Sequence, residues 1–375
     1  MQKNNKIKIV YILSHINKAL AFEWIIDNLD KNKFELFFIS IGCDENSFLE
    51  TFCKTRNIIF YRIEYNGKKN LPTAILKTYK ILRQIKPNAV HCHLFEANII
   101  GLTAAYFAGI KKRIFTRHHS TFHHSTSPKG VKYDKYCNKL ATHIVAISKN
   151  VEDILLKKEQ VAPKKIYLIH HGFDLPIFKN ISAERINTVA LKYNKLNKHP
   201  VIGVVSRYTK WKGITYITEA FEHLLKEYPN ALIIFANAKG DEPEIKAAIK
   251  KIPQAACTEI IFENDNAALF KVFDVFIHVP IDAEIEAFGQ IYVEALAVGI
   301  PSVFTLSGIA REFITNRENA LVVDFKNSEQ IYLATKELLE NKILRDTIIA
   351  NGKKSVEQLF SLPLMIQQLE KLYLL

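Results

Sequence analysis

The chain has 375 residues and a mass of 43.0 kDa, more than one hydrophobic core ordinarily serves, so two domains of usual size are expected. Apolar residues make up 48% and charged residues 24%, which excludes a disordered, collagen-like or coiled-coil chain. The formal net charge of +13 lies wholly in the first half: residues 1–180 hold 29 Lys+Arg against 14 Asp+Glu (+15), and the rest holds 22 against 24 (−2).

A field of that sign either solubilises the chain or draws something anionic: nucleic acid, an acidic membrane face or a phosphorylated acceptor. The basic tails and short motifs of nucleic-acid binders are missing, so nucleic acid is not an expected partner. The longest uncharged stretch, Ala295 to Ala310, is 16 residues long and contains Gly299 and Pro301. A spanning helix needs roughly 20 apolar residues, so no bilayer crossing is expected. The basic start leads into a seven-residue apolar run that reads as a first strand and not as a secretory signal. Five scattered cysteines with no C-x-x-C predict a reduced, cytoplasmic protein with neither disulfides nor a zinc ribbon.

Along the chain, short β-branched or aromatic runs alternate with amphipathic stretches of helical length. The pattern predicts strands at Ile7–Leu13, Phe34–Ile41, Ile58–Ile63, Ala89–His93, Arg113–Thr116, Ile144–Ala146 and Ile166–Ile169. Helical patterns lie between them, as at Leu71–Ile85 and Ala97–Ala108. Repeated βα units of this kind build a parallel sheet. Pro176–Pro200 is polar and aperiodic and reads as a linker. The alternation then restarts at Val201–Ser206, Leu232–Ala236, Ile260–Phe262, Val275–His278, Pro301–Thr305 and Leu321–Val323, before a helical tail over Glu329–Leu375. The expected fold is α/β, two doubly wound Rossmann-like domains facing across a cleft, with ligand sites at the carboxyl ends of the strands.

The segment from Glu286 to Thr305, EAFGQIYVEALAVGIPSVFT, carries the most information. It predicts a turn at Phe288–Gly289, a helix ending at Val298 with Gly299 as its cap, and then a strand. A helix start after a strand is a ready anion site, and Gly289 would let a ligand approach the backbone closely. Acids near phosphates must bond to hydroxyls instead, so Glu286 and Glu294 look like acceptors for sugar or ribose; the plainer alternative is an ordinary βα turn with two surface glutamates. In GVVSRYTKWKG, Arg207 and Lys212 follow the first strand of the second half, where two cations suit a diphosphate. Neither G-x-G-x-x-G nor Walker A is present, which argues against a dinucleotide cofactor.

Together these segments resemble glycosyltransferase family 4, the retaining GT-B transferases that use nucleotide-activated sugars. Glu286 to Glu294 resembles the family's E-x7-E signature, Ala295 to Val303 its A-L-A-x-G-x-P-x-V run, and Arg207 to Gly213 its R-x4-K-G loop. VHCHLFEANIIGLTAA around His93, Thr116–His118, HIVAISKNVEDILL and His170–Asp174 look like the family as well.

The resemblance implies an acceptor-binding domain over residues 1–178 and a nucleotide-sugar donor domain over 199–355. It further implies a C-terminal helix, 356–375, packing back toward the first domain. By position, Glu294 would accept from the donor's ribose hydroxyls, while Arg207 and Lys212 would hold the diphosphate as leaving group. Glu286 would hold sugar hydroxyls, backbone N–H groups at Phe288, Gly289, Gln290 and Ile291 would support sugar and phosphate, and His118 would reach the sugar near the reacting carbon. Ser14, His15 and His119 are weaker, acceptor-side candidates.

No cofactor and no metal are expected, because the two cations would do a metal's work on the leaving group. The implied donor is a nucleoside-diphosphate sugar, UDP by family frequency. The implied acceptor is lipid-linked or a saccharide in cell-surface glycan synthesis, met by a cytoplasmic protein with peripheral contact to the anionic inner face of the membrane. Rivals of the same architecture are a nucleotide-sugar 2-epimerase and a non-catalytic sugar-nucleotide-binding protein.

Departures from the family pattern are Ser14–Ala19 in place of a Gly-Gly loop, His170–Asp174 for P-N-G-x-D, Asn237–Gly240 for G-x-G, and Ala287 within E-G-F-G. The cluster RHHSTFHH, with His118, His119, His123 and His124, raises a metal site as an alternative, but an irregular loop of histidines is preferred. His91 and His93 face one way and read as satisfied core or cleft histidines.

Overall fold

A computed structural model describes residues 6–194 and 197–375. The chain divides into two compact units, one of residues through Phe173 together with Leu362–Leu375, the other of Asp174–Ser361.

The first unit holds seven parallel strands: β1 (Ile7–Ser14), β2 (Phe34–Ile41), β3 (Ile59–Ile63), β4 (Ala89–His93), β5 (Lys112–Arg117), β6 (His143–Ala146) and β7 (Ile166–Leu168). Their order is β3-β2-β1-β4-β5-β6-β7, so the chain reverses its direction of travel between β1 and β4, where Ile9 pairs Ala89 and Leu13 pairs His93. β1 and β4 are buried almost throughout because helices cover both faces, which is why β1 reads as a near-continuous apolar run. The helix Leu71–Ile85 buries Ala74, Thr78, Leu82 and Ile85 at helical spacing, leaving Lys77, Lys80 and Arg83 exposed.

The helix Leu362–Leu374 lays Leu362, Met365, Ile366, Leu369, Leu372 and Tyr373 into the core of this unit. Tyr373 is fully buried, its hydroxyl meeting those of Tyr11 and, at 2.7 Å, His91 Nδ1. His91 Nε2 meets Thr116 Oγ1 at 2.8 Å, so this histidine is a satisfied core group, and burial lowers its pKa to about 3. Two cations of the basic run at β5 serve the fold. Lys112 Nζ donates to the Tyr373 carbonyl at 2.8 Å, and the Arg113 guanidinium donates to the Leu140 and Ile110 carbonyls.

The second unit holds β8 (Val201–Val205), β9 (Leu232–Ala236), β10 (Cys257–Ile260), β11 (Val275–His278), β12 (Ser302–Phe304) and β13 (Leu321–Val322), in the order β10-β9-β8-β11-β12-β13. Here the reversal falls between β8 and β11, where Val275 pairs Ile202. The final helices break at Asn341, whose side chain accepts from the Leu344 amide, and again at residues 360–361.

Two expectations need correction. Pro176–Pro200 is largely helical, with helices Pro176–Lys179 and Ala183–Tyr193; residues 195–196 within it lie outside the described residues. Ser182 caps the longer helix, which buries only Val189 and is held by polar contacts: Arg185 grips Asp265 through two nitrogens, and Lys192 and Tyr193 reach Glu263. That polar fastening erased the apolar periodicity. The strand placed at Ile260–Phe262 runs instead over Cys257–Ile260, and Ile261 and Phe262 are exposed. No helix among the described residues is long and apolar enough to cross a membrane, and all five cysteines are free.

Candidate active site

At the carboxyl ends of β8 and β11, where the strand order of the second unit reverses, lies a pocket of about 520 Å³. A doubly wound sheet takes its ligand at such a point, because neighbouring loops leave in opposite directions and open a crevice. Arg207, Trp211 and Lys212 line it from the loop after β8, and Asn237 and Lys239 from the loop after β9. Phe262, Glu263 and Asn266 line it after β10, and Glu286, Gly289, Gln290, Ile291 and Glu294 after β11. Four of the side chains singled out in the sequence, Arg207, Lys212, Glu286 and Glu294, therefore share one pocket with Gly289, Gln290 and Ile291, which were singled out for their amides.

The helix Gln290–Val298 starts at Gly289, whose φ of +87° is costly for any residue with a Cβ. No side chain caps this start, so its first-turn amides keep their capacity for a ligand. Phe288 is buried, its ring edge-on to Phe360 at 5.8 Å and its carbonyl accepting from the Ile309 amide, so its side chain belongs to the core of this unit.

The two glutamates occupy opposite electrostatic settings. Glu286 is buried, ion-paired through Oε1 with Lys212 Nζ and 3.4 Å from His278 Nε2. Burial pushes its carboxyl up, but His278 and Lys212 outweigh burial and hold it at about 2. Glu294 is half-buried and makes no ion pair or hydrogen bond among the described residues. Burial alone pushes its carboxyl up to about 7. Arg207 is exposed at the rim, and the Lys212 ammonium lies 4.4 Å from the Trp211 ring centroid.

His278 escaped the sequence reading. It is fully buried at the end of β11, with the Tyr292 ring edge-on at 4.8 Å, and burial lowers its pKa to about 4. The available signal was a lone histidine closing an apolar strand run, two residues before Pro280.

The remaining candidates lie in the first unit. Ser14 ends β1 fully buried, its hydroxyl accepting from the Ala97 amide at 3.3 Å, so its side chain belongs to the strand–helix junction. His15 follows at φ +54° and is exposed, the only exposed side chain of the three acceptor-side candidates. His118 follows β5 and lines a small cavity of about 50 Å³ with His91, His93, Thr116, His170 and His171. Its Nε2 is 3.0 Å from His93 Nδ1, and its ring stacks on His171 at 5.8 Å. Burial, then the charge of His171, lowers its pKa to about 3, so His118 is a neutral imidazole at pH 7. His119 turns to Asp134, at 3.1 Å.

Both sheets define a doubly wound α/β protein of two Rossmann-like units, and sequence comparison makes the family explicit. Residues 25–176 match the family described as Glycosyltransferase Family 4, and residues 188–355 match Glycosyl transferases group 1. The chain belongs to the family 4 glycosyltransferases, and it is a GT-B enzyme built from two Rossmann-like domains.

It is 26% identical to the capsular polysaccharide biosynthesis glycosyltransferase CapM of Staphylococcus aureus over 312 residues, 80% of each chain. It is 22% identical to the UDP-Gal:alpha-D-GlcNAc-diphosphoundecaprenol alpha-1,3-galactosyltransferase of Escherichia coli, over 80% of this chain and 79% of that one. Among solved structures, Anabaena HepE in complex with UDP and glucose matches with a TM-score of 0.80 and 18% identity, covering 96% of this chain and 98% of its own.

Proposed function

We propose that this glycosyltransferase moves a sugar, with retention of anomeric configuration, from a nucleoside-diphosphate donor to a saccharide or lipid-linked acceptor in cell-surface glycan synthesis. UDP is the proposed nucleotide. The observation that carries the reading is the pocket after β8 and β11, where Arg207 and Lys212 share a wall with the uncapped helix start at Gly289 and the unpaired carboxyl of Glu294. Two cations and free amides suit a diphosphate, while an isolated carboxyl within the same pocket suits vicinal hydroxyls.

In this reading Glu294 takes the ribose hydroxyls, and Arg207 with Lys212 takes the diphosphate. Glu286, kept ionised by Lys212 and His278, takes hydroxyls of the donor sugar. The bond from the anomeric carbon to the diphosphate oxygen breaks as the acceptor oxygen bonds to the same face of that carbon. The departing phosphate receives the acceptor's proton. Charge growing on the leaving group is met by the two fixed cations and the amides at Phe288–Ile291, so catalysis proceeds without a metal at the diphosphate. His118 is assigned a contact with the donor sugar, on the family resemblance, and His15 an acceptor-side contact.

The donor and acceptor classes draw support from the names of the Staphylococcus and Escherichia relatives and from the UDP and glucose bound to HepE. Peripheral contact with an anionic membrane face at the cytoplasmic side is part of the same proposal and rests on the charge of the first half.

Calorimetric and thermal-shift titrations against UDP, GDP, ADP and their sugars test it. One nucleotide should raise Tm selectively, and Glu294→Ala and Arg207→Ala should each weaken it about 10- to 100-fold, the scale of a charge-assisted hydrogen bond. Equal binding by wild type and Glu294→Ala would remove the assignment. Conversion of the donor to its epimer without any acceptor would replace transfer by epimerisation.

A further inference from the structure

The histidine run after β5 contains more chemistry than the transfer reaction uses. Asp134, on the helix Pro128–Leu140, is buried and points Oδ2 at two imidazoles, His119 Nε2 at 3.1 Å and His123 Nδ1 at 2.7 Å. The ligand atoms of these three residues all lie within 4.8 Å of one another. The other oxygen, Oδ1, is 3.2 Å from the fully buried Arg117 guanidinium, which also binds Glu159 at 2.5 Å.

This arrangement orients the carboxylate from behind and turns its second oxygen toward the imidazoles, the outer support that a metal ligand usually has. Glu159 further accepts from Asn138 at 2.6 Å and meets His124 at 3.2 Å. Two carboxylates thus face one guanidinium in the interior, an excess of one negative charge while the imidazoles are neutral.

Space has been left for the rings. A Cβ at Gly130 would lie 2.6 Å from His123 Cγ, so only glycine on this helix admits the His123 ring, which Phe95 backs edge-on at 5.0 Å. Water reaches the open side, since the His119 and His123 side chains are 23% and 12% exposed.

We propose that His119, His123 and Asp134 form a site for one divalent transition-metal ion of the zinc class, bracing the segment that carries His118. Ligands on a tetrahedral zinc at about 2.1 Å sit about 3.4 Å apart, so admitting an ion moves Asp134 Oδ2 about 0.3 Å farther from His119 Nε2 and about 0.7 Å farther from His123 Nδ1. Each imidazole turns a lone pair inward by carrying its proton on the other ring nitrogen, and water completes the fourth position. Two nitrogens and one carboxylate favour zinc over magnesium or calcium, which take oxygen. The three ligands belong to the first unit and share no residue with the pocket proposed for the diphosphate, so the proposal stands whichever way the donor assignment falls.

Full-length protein is stripped with chelator, exchanged into metal-free buffer, and titrated with Zn2+ against a chromophoric competitor, with Co2+ absorption reporting the coordination geometry. One equivalent should bind, with a tetrahedral Co2+ spectrum and a rise in Tm. His119→Gln and His123→Gln should each weaken it at least about 10-fold, while His223→Gln, an exposed residue of the second unit, should not. Circular dichroism verifies the fold, and if His123→Gln is unfolded the more exposed His119→Gln decides. No stoichiometric binding, or binding that neither substitution weakens, would leave an ion-pair network only and overturn the site.

Discussion

Glu286 and Glu294 are eight positions apart in sequence and have opposite proton affinities in the fold. Burial raises both carboxyls, but only Glu286 has Lys212 and His278 to reverse it. A carboxyl lifted to about 7 binds a proton that the unfolded chain has released, so its contribution favours the fold at low pH and is lost as pH rises through 7. Glu294→Gln should therefore raise Tm more at pH 8 than at pH 5, measured by calorimetry.

The same residue sets a ligand profile. Hydroxyl donors favour the ionised carboxylate, so affinity for a nucleotide sugar, whose diphosphate does not titrate here, should strengthen from pH 6 to pH 8 and be flat in Glu294→Gln. Glu286 runs the other way. Its depressed pKa stabilises the fold above the ordinary carboxylate range, and that contribution fades as pH falls toward 2. The glutamate pair and the two cations were legible as residue types at a telling spacing. Which glutamate is paired was not, because His278 and Lys212 reach Glu286 from 8 and 74 residues away in sequence.

Elements position these groups through a few backbone and packing decisions. Gly289 opens the helix Gln290–Val298 at φ +87°, and a Cβ there would also lie 2.7 Å from the Tyr292 ring. Gly289→Ala should cost about 1–2 kcal/mol from the left-handed backbone and more from the ring contact, lowering Tm and weakening donor binding together. Both are read in one thermal-shift series with and without nucleotide. At the other end of the chain, Tyr373 closes a buried hydrogen-bonded chain with Tyr11, His91 and Thr116. Tyr373→Phe keeps the ring and leaves the other groups short of a partner, at about 1–3 kcal/mol, measured by urea denaturation.

Twelve of the thirteen strands among the described residues were legible as short runs rich in apolar residues, most plainly the central ones, since parallel strands covered on both faces must be apolar on both. The helix Ala183–Tyr193 was not visible, because it docks by Arg185–Asp265 and by Lys192 and Tyr193 on Glu263. Ile261 and Phe262, both exposed, drew the predicted β10 two residues past its observed end, Ile260, since an apolar pair after a strand looks the same in sequence whether it is buried or not.

At the scale of the whole molecule, the charge asymmetry is a property of composition that folding only redistributes. Lys112 and Arg113 are spent on carbonyls inside the first unit, while Lys77, Lys80 and Arg83 stay on an exposed helix face. The proposed membrane contact predicts co-flotation with vesicles containing anionic lipid, none with zwitterionic vesicles, and release at about 0.5 M salt, where screening shortens to a few ångströms. Flotation equal for both lipids would remove charge as its cause.

Local sequence was enough to fix the class of fold, the family and four of the charged residues, Arg207, Lys212, Glu286 and Glu294, that meet in the pocket after β8 and β11. These follow from local periodicity, from glycines at obligate turns, and from charged residues at fixed distances along one strand–loop–helix unit. Tertiary structure alone decided the rest: the burial that parts Glu286 from Glu294, the His278 contact, the core place of Tyr373, and the meeting of Asp134 with two histidines. Each is a matter of which side chains share a low-dielectric space, and that depends on contacts between segments distant in the chain.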